Sequence, residues 1–289
     1  LRKDRVGRME LSLITPANYF TFSRILPGRF CIASAAFEHP EYKEFFKKEA
    51  QRGKRVVLDN GVFENDQLDQ QILLDLAQEI QPKVLIVPDV ISSNAQVNWQ
   101  YAKTFVTCQP KTTYFGGEWM FVPQCKMDDT KGFERVLRDV IKSKEFKWIG
   151  ICRDAVANAY SKYTNTDDQE LNRLFFSWHC SQLIGDALAN GKRFHFLGIG
   201  DNVWALQHYW YVDAMDTASF FWQGSLGNIV HQGVLQTRLR RPKDYFEREY
   251  TSCPYQSLVQ NVRFNCEAAL VFAQEADKLR RRVLREGRV

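Results

Sequence analysis

The chain has 289 residues, of which 45% are apolar and 25% charged, with 39 Lys and Arg against 34 Asp and Glu for a formal net charge of +5. That balance excludes a disordered chain, and no run reaches the roughly 20 apolar residues a membrane-crossing helix needs. The length suits one α/β barrel of about 250 residues with room for insertions, so a single domain spanning residues 1–289 is expected.

At the start, Leu1-Arg2-Lys3-Asp4-Arg5 leads into no apolar, signal-like stretch. Seven cysteines (Cys31, Cys108, Cys125, Cys152, Cys180, Cys253 and Cys266) are scattered and odd in number, which argues against a disulfide framework. A cytoplasmic protein with reduced core thiols and no membrane association is the expectation.

Short β-branched or aromatic runs then recur at Leu11–Ile14, Phe30–Ala33, Arg55–Asp59, Val84–Pro88, Trp119–Gln124, Trp148–Cys152, Phe194–Gly198 and Val212–Asp216. Helical periodicity fills the gaps. Leu68, Ile72, Leu76 and Ile80 share one face, as do Phe133, Val136, Leu137, Val140 and Ile141. Alternation of this kind means parallel strands with crossover helices, and about eight strands fit a closed (β/α)8 TIM barrel, placed at about 29–230. Pro16–Gly28 offers little helix, so the N-terminal piece is expected as a hairpin capping the barrel. Tyr255–Arg285 reads as one long helix or two within a C-terminal helical extension over about 231–289.

Polar residues stand where the strand runs end. Val56-Val57-Leu58 leads into Asp59-Asn60-Gly61, Leu85-Ile86-Val87-Pro88 into Asp89, and Phe121-Val122-Pro123 into Gln124. Trp148-Ile149 leads into Gly150, Phe196-Leu197 into Gly198-Ile199-Gly200, and Val212–Met215 into Asp216. Catalytic groups of α/β barrels gather at this end of the strands. Each Asp has a plainer reading as the N-cap of the following helix. Three aspartates with Gln124 and two glycine turns, all at strand ends, point instead to one polar pocket. Paired carboxylates are the equipment of retaining glycosyl chemistry, one as nucleophile and one exchanging a proton.

These motifs resemble those of the tRNA-guanine transglycosylase superfamily. Asp59-Asn60-Gly61-Val62-Phe63-Glu64 is similar to its Asp-Ser-Gly-Gly-Phe-Gln motif, His195-Phe196-Leu197-Gly198-Ile199-Gly200 to its His/Tyr-Leu-Phe/Met-Gly-Xaa-Gly strand, and Asp213-Ala214-Met215-Asp216-Thr217-Ala218 to its Asp-Xaa-Phe-Asp-Ser-Ala segment. The resemblance covers about residues 55–220. It implies Asp216 as the nucleophile at C1′ and Asp59 as general acid/base. It further implies Asp89 on the purine N1 and exocyclic amine, Gln124 on O6, and the backbone of Gly150 and Ile151 on the far edge. Gly198 and the aromatic Phe63 complete the expected base site. A covalent glycosyl-enzyme would then let guanine leave and a free 7-deazaguanine of the preQ0 kind enter, with no cofactor.

Departures from the family pattern refine the expectation. Val62 replaces a glycine and Glu64 a glutamine. The family's zinc subdomain uses three closely spaced cysteines and a histidine, whereas Cys253 and Cys266 stand alone here, with Asn261 near the histidine position. Four ligands are needed for tetrahedral zinc, so no metal and no zinc subdomain are expected. That absence and the short C-terminus place the chain nearer the phage and bacterial DNA 7-deazaguanine transglycosylases than the tRNA enzymes, making DNA the expected partner and tRNA the alternative. Backbone phosphates would meet Arg238, Arg240, Arg241 and Lys243, with Lys278, Arg280, Arg281, Arg282, Arg285 and Arg288 further along. A base-releasing hydrolase and a catalytically silent, nucleic-acid-binding subunit are the competing readings.

Overall fold

The computed structural model describes residues 8–62, 68–108, 116–235 and 241–286. Its eight main strands form one parallel sheet in the order β1-β8-β7-β6-β5-β4-β3-β2: β1 (Glu10–Leu13), β2 (Arg29–Ile32), β3 (Val56–Asp59), β4 (Val84–Ile86), β5 (Glu118–Phe121), β6 (Phe146–Cys152), β7 (Arg193–Leu197) and β8 (Ala214–Thr217). With helices between successive strands, this is the expected (β/α)8 barrel followed by a C-terminal helix. Contacts divide the chain into two compact units, residues 29–195 and residues 1–28 with 196–289.

In the first unit, α1 (Ala33–Glu38), α2 (Pro40–Gln51), α3 (Gln70–Ile80), α4 (Ala95–Thr107) and α5 (Thr130–Lys142) connect β2 through β6. Their apolar stripes account for them: α5 buries Phe133, Val136, Leu137, Val140 and Ile141, the face its sequence period marks out. Between β4, α4 and the next strands, Trp99 packs on Phe121 and Phe146 at ring separations of 5.1 and 5.4 Å. A buried ion pair, Arg29 Nε to Glu49 Oε2 at 2.8 Å, ties β2 to α2. After β6 the chain inserts three helices rather than one: α6 (Arg153–Thr164), α7 (Gln169–His179) and α8 (Ser181–Ala189).

The second unit contains β1 and β8, paired in parallel with Glu10 opposite Ala214 and Leu13 opposite Thr217. Among the described residues, then, the N-terminal segment supplies a barrel strand in place of the expected capping hairpin. A 3-10 helix, Ala17–Ile25, follows it. Leu11 and Leu13 are completely buried, and the register to β8 lets their backbone groups pair, which an isolated hairpin of this length would do only marginally. After β8 come α9 (Ser219–Ser225), the short antiparallel β9 (Val230–His231) and β10 (Val234–Leu235), and a single 32-residue helix, α10 (Tyr255–Glu286). Asp277 on α10 accepts the Met9 amide at 2.9 Å, while Arg280 donates to Tyr211 O at 3.1 Å and Asp213 Oδ1 at 3.0 Å. Arg280 is therefore a buried tie rather than one of the outward cations counted with the terminal basic tract. No helix of the described residues is long and apolar enough to cross a membrane.

Candidate functional site

Two strands of the first unit end in the same three-residue pattern, Val87-Pro88-Asp89 after β4 and Val122-Pro123-Gln124 after β5. Proline has no N–H and cannot continue the ladder, so each strand stops there and its next residue is released from strand pairing. Asn98, buried on α4, braces both ends: its Nδ2 donates to Val122 O at 3.1 Å, and its Oδ1 accepts the Val90 N–H at 3.1 Å. Asp89 and Gln124 are thereby fixed beside each other, with Gln124 Nε2 donating to Asp89 Oδ2 at 2.7 Å.

Asn60, one residue past the end of β3, completes the cluster. Its Nδ2 donates to Val87 O at 2.9 Å and to Asp89 Oδ1 at 2.6 Å, and its Oδ1 accepts from Val62 N–H at 3.1 Å. Asp89, Asn60 and Gln124 are all buried, at 3%, 6% and 2% exposure, so a carboxylate is held out of water with two amides as donors. Burial pushes the Asp89 carboxyl up to about 6 against the opposing pull of the hydrogen bonds from Asn60 and Gln124. Gln124 Oε1 is buried with no hydrogen-bond partner among the described residues.

Asp59, the last residue of β3, is half-buried and accepts the Gly61 N–H on Oδ2 at 3.2 Å, a short turn that Gly61 makes at φ 75°. The capping alternative does not hold for any of the three aspartates. The helices after these strands are capped by others: Asp69 accepts from Gln71 N–H at the start of α3, Asn94 from Gln96 and Val97 N–H at α4, and Asp129 from Gly132 N–H at α5. α9, which follows Asp216, has Ala218 at its N-cap and no side-chain cap.

β6 carries Gly150 and Ile151, both buried, and Arg173 from α7 donates to Ile151 O at 3.4 Å. Cys152 follows. Burial, with Asp154 and Asp89 adding negative charge nearby, pushes its thiol up to about 11. Burial, with Arg173 beside it, lowers the Arg153 guanidinium from its ordinary value.

In the second unit, Gly198 at φ 76° turns the chain just after β7 and donates its N–H to Asp216 Oδ2 at 3.1 Å. Ile199 N–H donates to Asp216 O at 2.7 Å. Asp216 is 4% exposed, so its carboxylate is fixed in the third position of β8. Of the expected phosphate contacts, Arg241 lies over the rings of Tyr245 and Phe246 at 5.0 and 5.5 Å, and Lys243 is exposed. Phe63, Arg238 and Arg240 lie outside the described residues. Among the described residues no group of three or more His, Cys, Asp or Glu is arranged to hold a metal ion. Cys266 is buried in α10, where burial pushes its thiol above the range of an ordinary cysteine.

Sequence reading passed over Asn98 and treated Asn60 only as part of a motif. A lone Asn inside an otherwise apolar-periodic helix was the available signal for the first, since a buried amide in such a place needs partners.

Comparison with family models and with curated proteins finds no match. Among solved structures, N-acetylneuraminate lyase from Mycoplasma synoviae (crystal form II) is similar over 75% of this chain and 71% of that one, at 13% identity and a TM-score of 0.42. A likeness that distant carries no argument about chemistry.

Proposed function

We propose that the chain is an enzyme, a base-exchanging transglycosylase that replaces guanine in DNA with a free 7-deazaguanine. The observation that carries this reading is the buried Asp89 carboxylate, which two amides hold at the end of its strand while another residue caps the helix that follows. A desolvated carboxylate kept by the fold at a barrel strand end suits a ligand that offers N–H donors, as the N1 and amino edge of guanine does. The resemblance of the Asp59, Gly198 and Asp216 segments to the transglycosylase motifs supplies the reaction type.

The chemistry then runs in two displacements. An Asp216 carboxylate oxygen attacks C1′, the bond from C1′ to guanine N9 breaks, and Asp59 gives its proton to the leaving base. The incoming 7-deazaguanine loses its N9 proton to Asp59 and attacks C1′ from the vacated side, expelling Asp216. The Gly198 N–H on Asp216 Oδ2 orients the carboxylate for attack and for departure. The target nucleotide must leave the stack to present C1′, which favours unpaired or locally opened DNA.

Incubating the protein with guanine-labelled DNA or tRNA, with and without preQ0, tests the reading. Label release from DNA that depends on the added base, with its incorporation, is the expected result. Release from tRNA alone would overturn the substrate, release without added base would make the chain a hydrolase, and no release from either would leave a silent subunit.

A further inference from the structure

Between β6 and β7, where a barrel needs one crossover helix, the chain carries α6, α7 and α8, and the first two bring a group of rings to the surface. Tyr163, Phe175 and His179 lie within 26° of parallel, with ring centroids 6.1 Å (Tyr163 to Phe175), 5.3 Å (Phe175 to His179) and 6.3 Å (Tyr163 to His179) apart. A face-to-face column would set its outer rings about twice as far apart as its neighbours, so these three form a stepped patch instead. Buried Tyr160 meets His179 at 64° and 5.7 Å on the inner side. Trp178 adjoins Phe175 at 5.7 Å and is 72% exposed, and Tyr163 is 59% exposed. Single apolar residues at a surface are ordinary, whereas a contiguous aromatic group marks an interaction site.

α5 supplies the charge beside it. Lys131, Arg135, Arg138 and Lys142 are all exposed, and their spacing sets them in one row along the helix. At 1.5 Å per residue the row is about 16 Å long, the length of about five stacked nucleotides. It starts just past the Asp129 cap, near the rim where the strand ends collect, and runs down the outside of the barrel. The acids of the helix, Glu134 and Asp139, flank the row and are partly buried. Glu134 fastens the row to the patch: its Oε2 accepts from Arg138 Nη2 at 3.1 Å, and its Oε1 meets His179 Nε2 at 3.0 Å. Among the described residues Lys131, Arg135 and Lys142 form no ion pair, so three of the four cations are left for an anion from outside.

We infer that this face is a second nucleic-acid site, which holds a single strand outside the barrel mouth. The cations of α5 take successive phosphates while Trp178, Tyr163 and the rings beside them stack unpaired bases, a pairing of groups that fits a single strand and not a duplex, whose base faces are covered. Naming the strand as DNA rests on the base-exchange reading; the site needs no catalysis.

The test uses the whole protein and a thymidine strand of about 15 nucleotides carrying one 5-iodouracil, cross-linked by ultraviolet light and mapped by peptide mass spectrometry, with affinity read from the fluorescence anisotropy of a labelled strand. Adducts on Tyr163 or Trp178 are expected. Trp178→Ala and Tyr163→Ala should each weaken binding about fivefold to a hundredfold without changing its salt dependence, and Trp178→Phe should stay within about threefold of wild type. Arg135→Ala combined with Lys142→Ala should flatten the slope of log affinity against log salt by about 1.4, the share of two phosphates. Adducts confined to residues outside α5, α6 and α7, or affinity and slope unchanged in all these variants, would overturn the site; the mapping decides even where a variant does not fold. Free protein that dimerises through Trp178 in light scattering and binds no strand would give the face to a second copy. A uridine RNA strand bound at least about tenfold more tightly than the DNA would overturn DNA as the occupant. Base exchange is scored separately: adducts at this face without exchange keep the site and remove that reading, and exchange without adducts here does the reverse.

Discussion

Asn60 Nδ2 stands 2.6 Å from Asp89 Oδ1, joining the ends of two neighbouring strands through a carboxylate that is almost wholly out of water. The arrangement is costly. Holding the Asp89 carboxyl at about 6, above its ordinary 3.8, means the folded chain favours the protonated form. Stability from this group is therefore full below the ordinary carboxylate range and is lost as pH rises through about 6, amounting to about 3 kcal/mol across the window. Asp89→Asn should raise the melting temperature at pH 7.5, because Gln124 can rotate its free Oε1 toward the new amide, and it should abolish 7-deazaguanine binding. Thermal melts of both proteins at pH 4 and pH 7.5 check this; a variant less stable than wild type at pH 7.5 would contradict it.

The same ionisation sets a pH dependence for binding. A ligand that donates N–H groups to Asp89 favours the charged form, so its affinity should rise with pH through about 6 and level off above 7. Titrations of 7-deazaguanine from pH 5 to 8 would show a slope of about one proton released per ligand bound below the midpoint. In Asp89→Asn that slope should vanish.

Gly198 combines a positive φ with the N–H that holds Asp216. Gly198→Ala places a Cβ in the left-handed region at a cost of about 1–2 kcal/mol and shifts the donor. We expect kcat for base exchange to fall at least tenfold while the affinity for free 7-deazaguanine changes little, since the glycine acts through Asp216.

Arg280 should behave as a structural residue. Its bonds to Tyr211 O and Asp213 fasten α10, and Arg280→Leu is expected to cost about 1.5–3 kcal/mol in urea unfolding without altering the affinity for the free base. By contrast, Arg281→Leu on the exposed side of the same helix should change stability by less than about 0.5 kcal/mol.

Among the described residues no ligand set for a structural zinc is present in the region of Cys253 and Cys266. Elemental analysis of the purified protein should find well under one zinc per chain, and EDTA should leave the melting temperature unchanged. About one tightly held zinc per chain would contradict this.

Most of the barrel could be read from the chain because its strands are short apolar runs ended by proline or glycine, signals carried within a few residues of each other. Val87-Pro88-Asp89 and Val122-Pro123-Gln124 marked both a strand end and a side chain of the buried cluster. The run Leu11–Ile14 was legible, but its place was given to a capping hairpin, because Glu10–Leu13 joins the barrel only through its partner, Ala214–Thr217, and no local pattern reveals a pairing so distant. Arg280 was grouped with the surface cations for the same reason: Asp213 lies 67 residues away. Whether Asp59 and Asp89 were caps was likewise undecidable until Asp69 and Asn94 were found at the helix starts. The three-helix stretch after β6 left no signal that distinguishes an insertion from one crossover.

The most direct test of aspartate-mediated exchange is to mix the protein with guanine-containing DNA in the absence of any incoming base, quench in denaturant, and examine the protein by intact and peptide mass spectrometry. The account predicts an adduct with the mass of the protein plus a DNA strand lacking one guanine, attached at Asp216, absent in Asp216→Asn and discharged by 7-deazaguanine. Guanine released with no adduct on the protein, or an Asp216→Asn variant that exchanges bases at the wild-type rate, would contradict it.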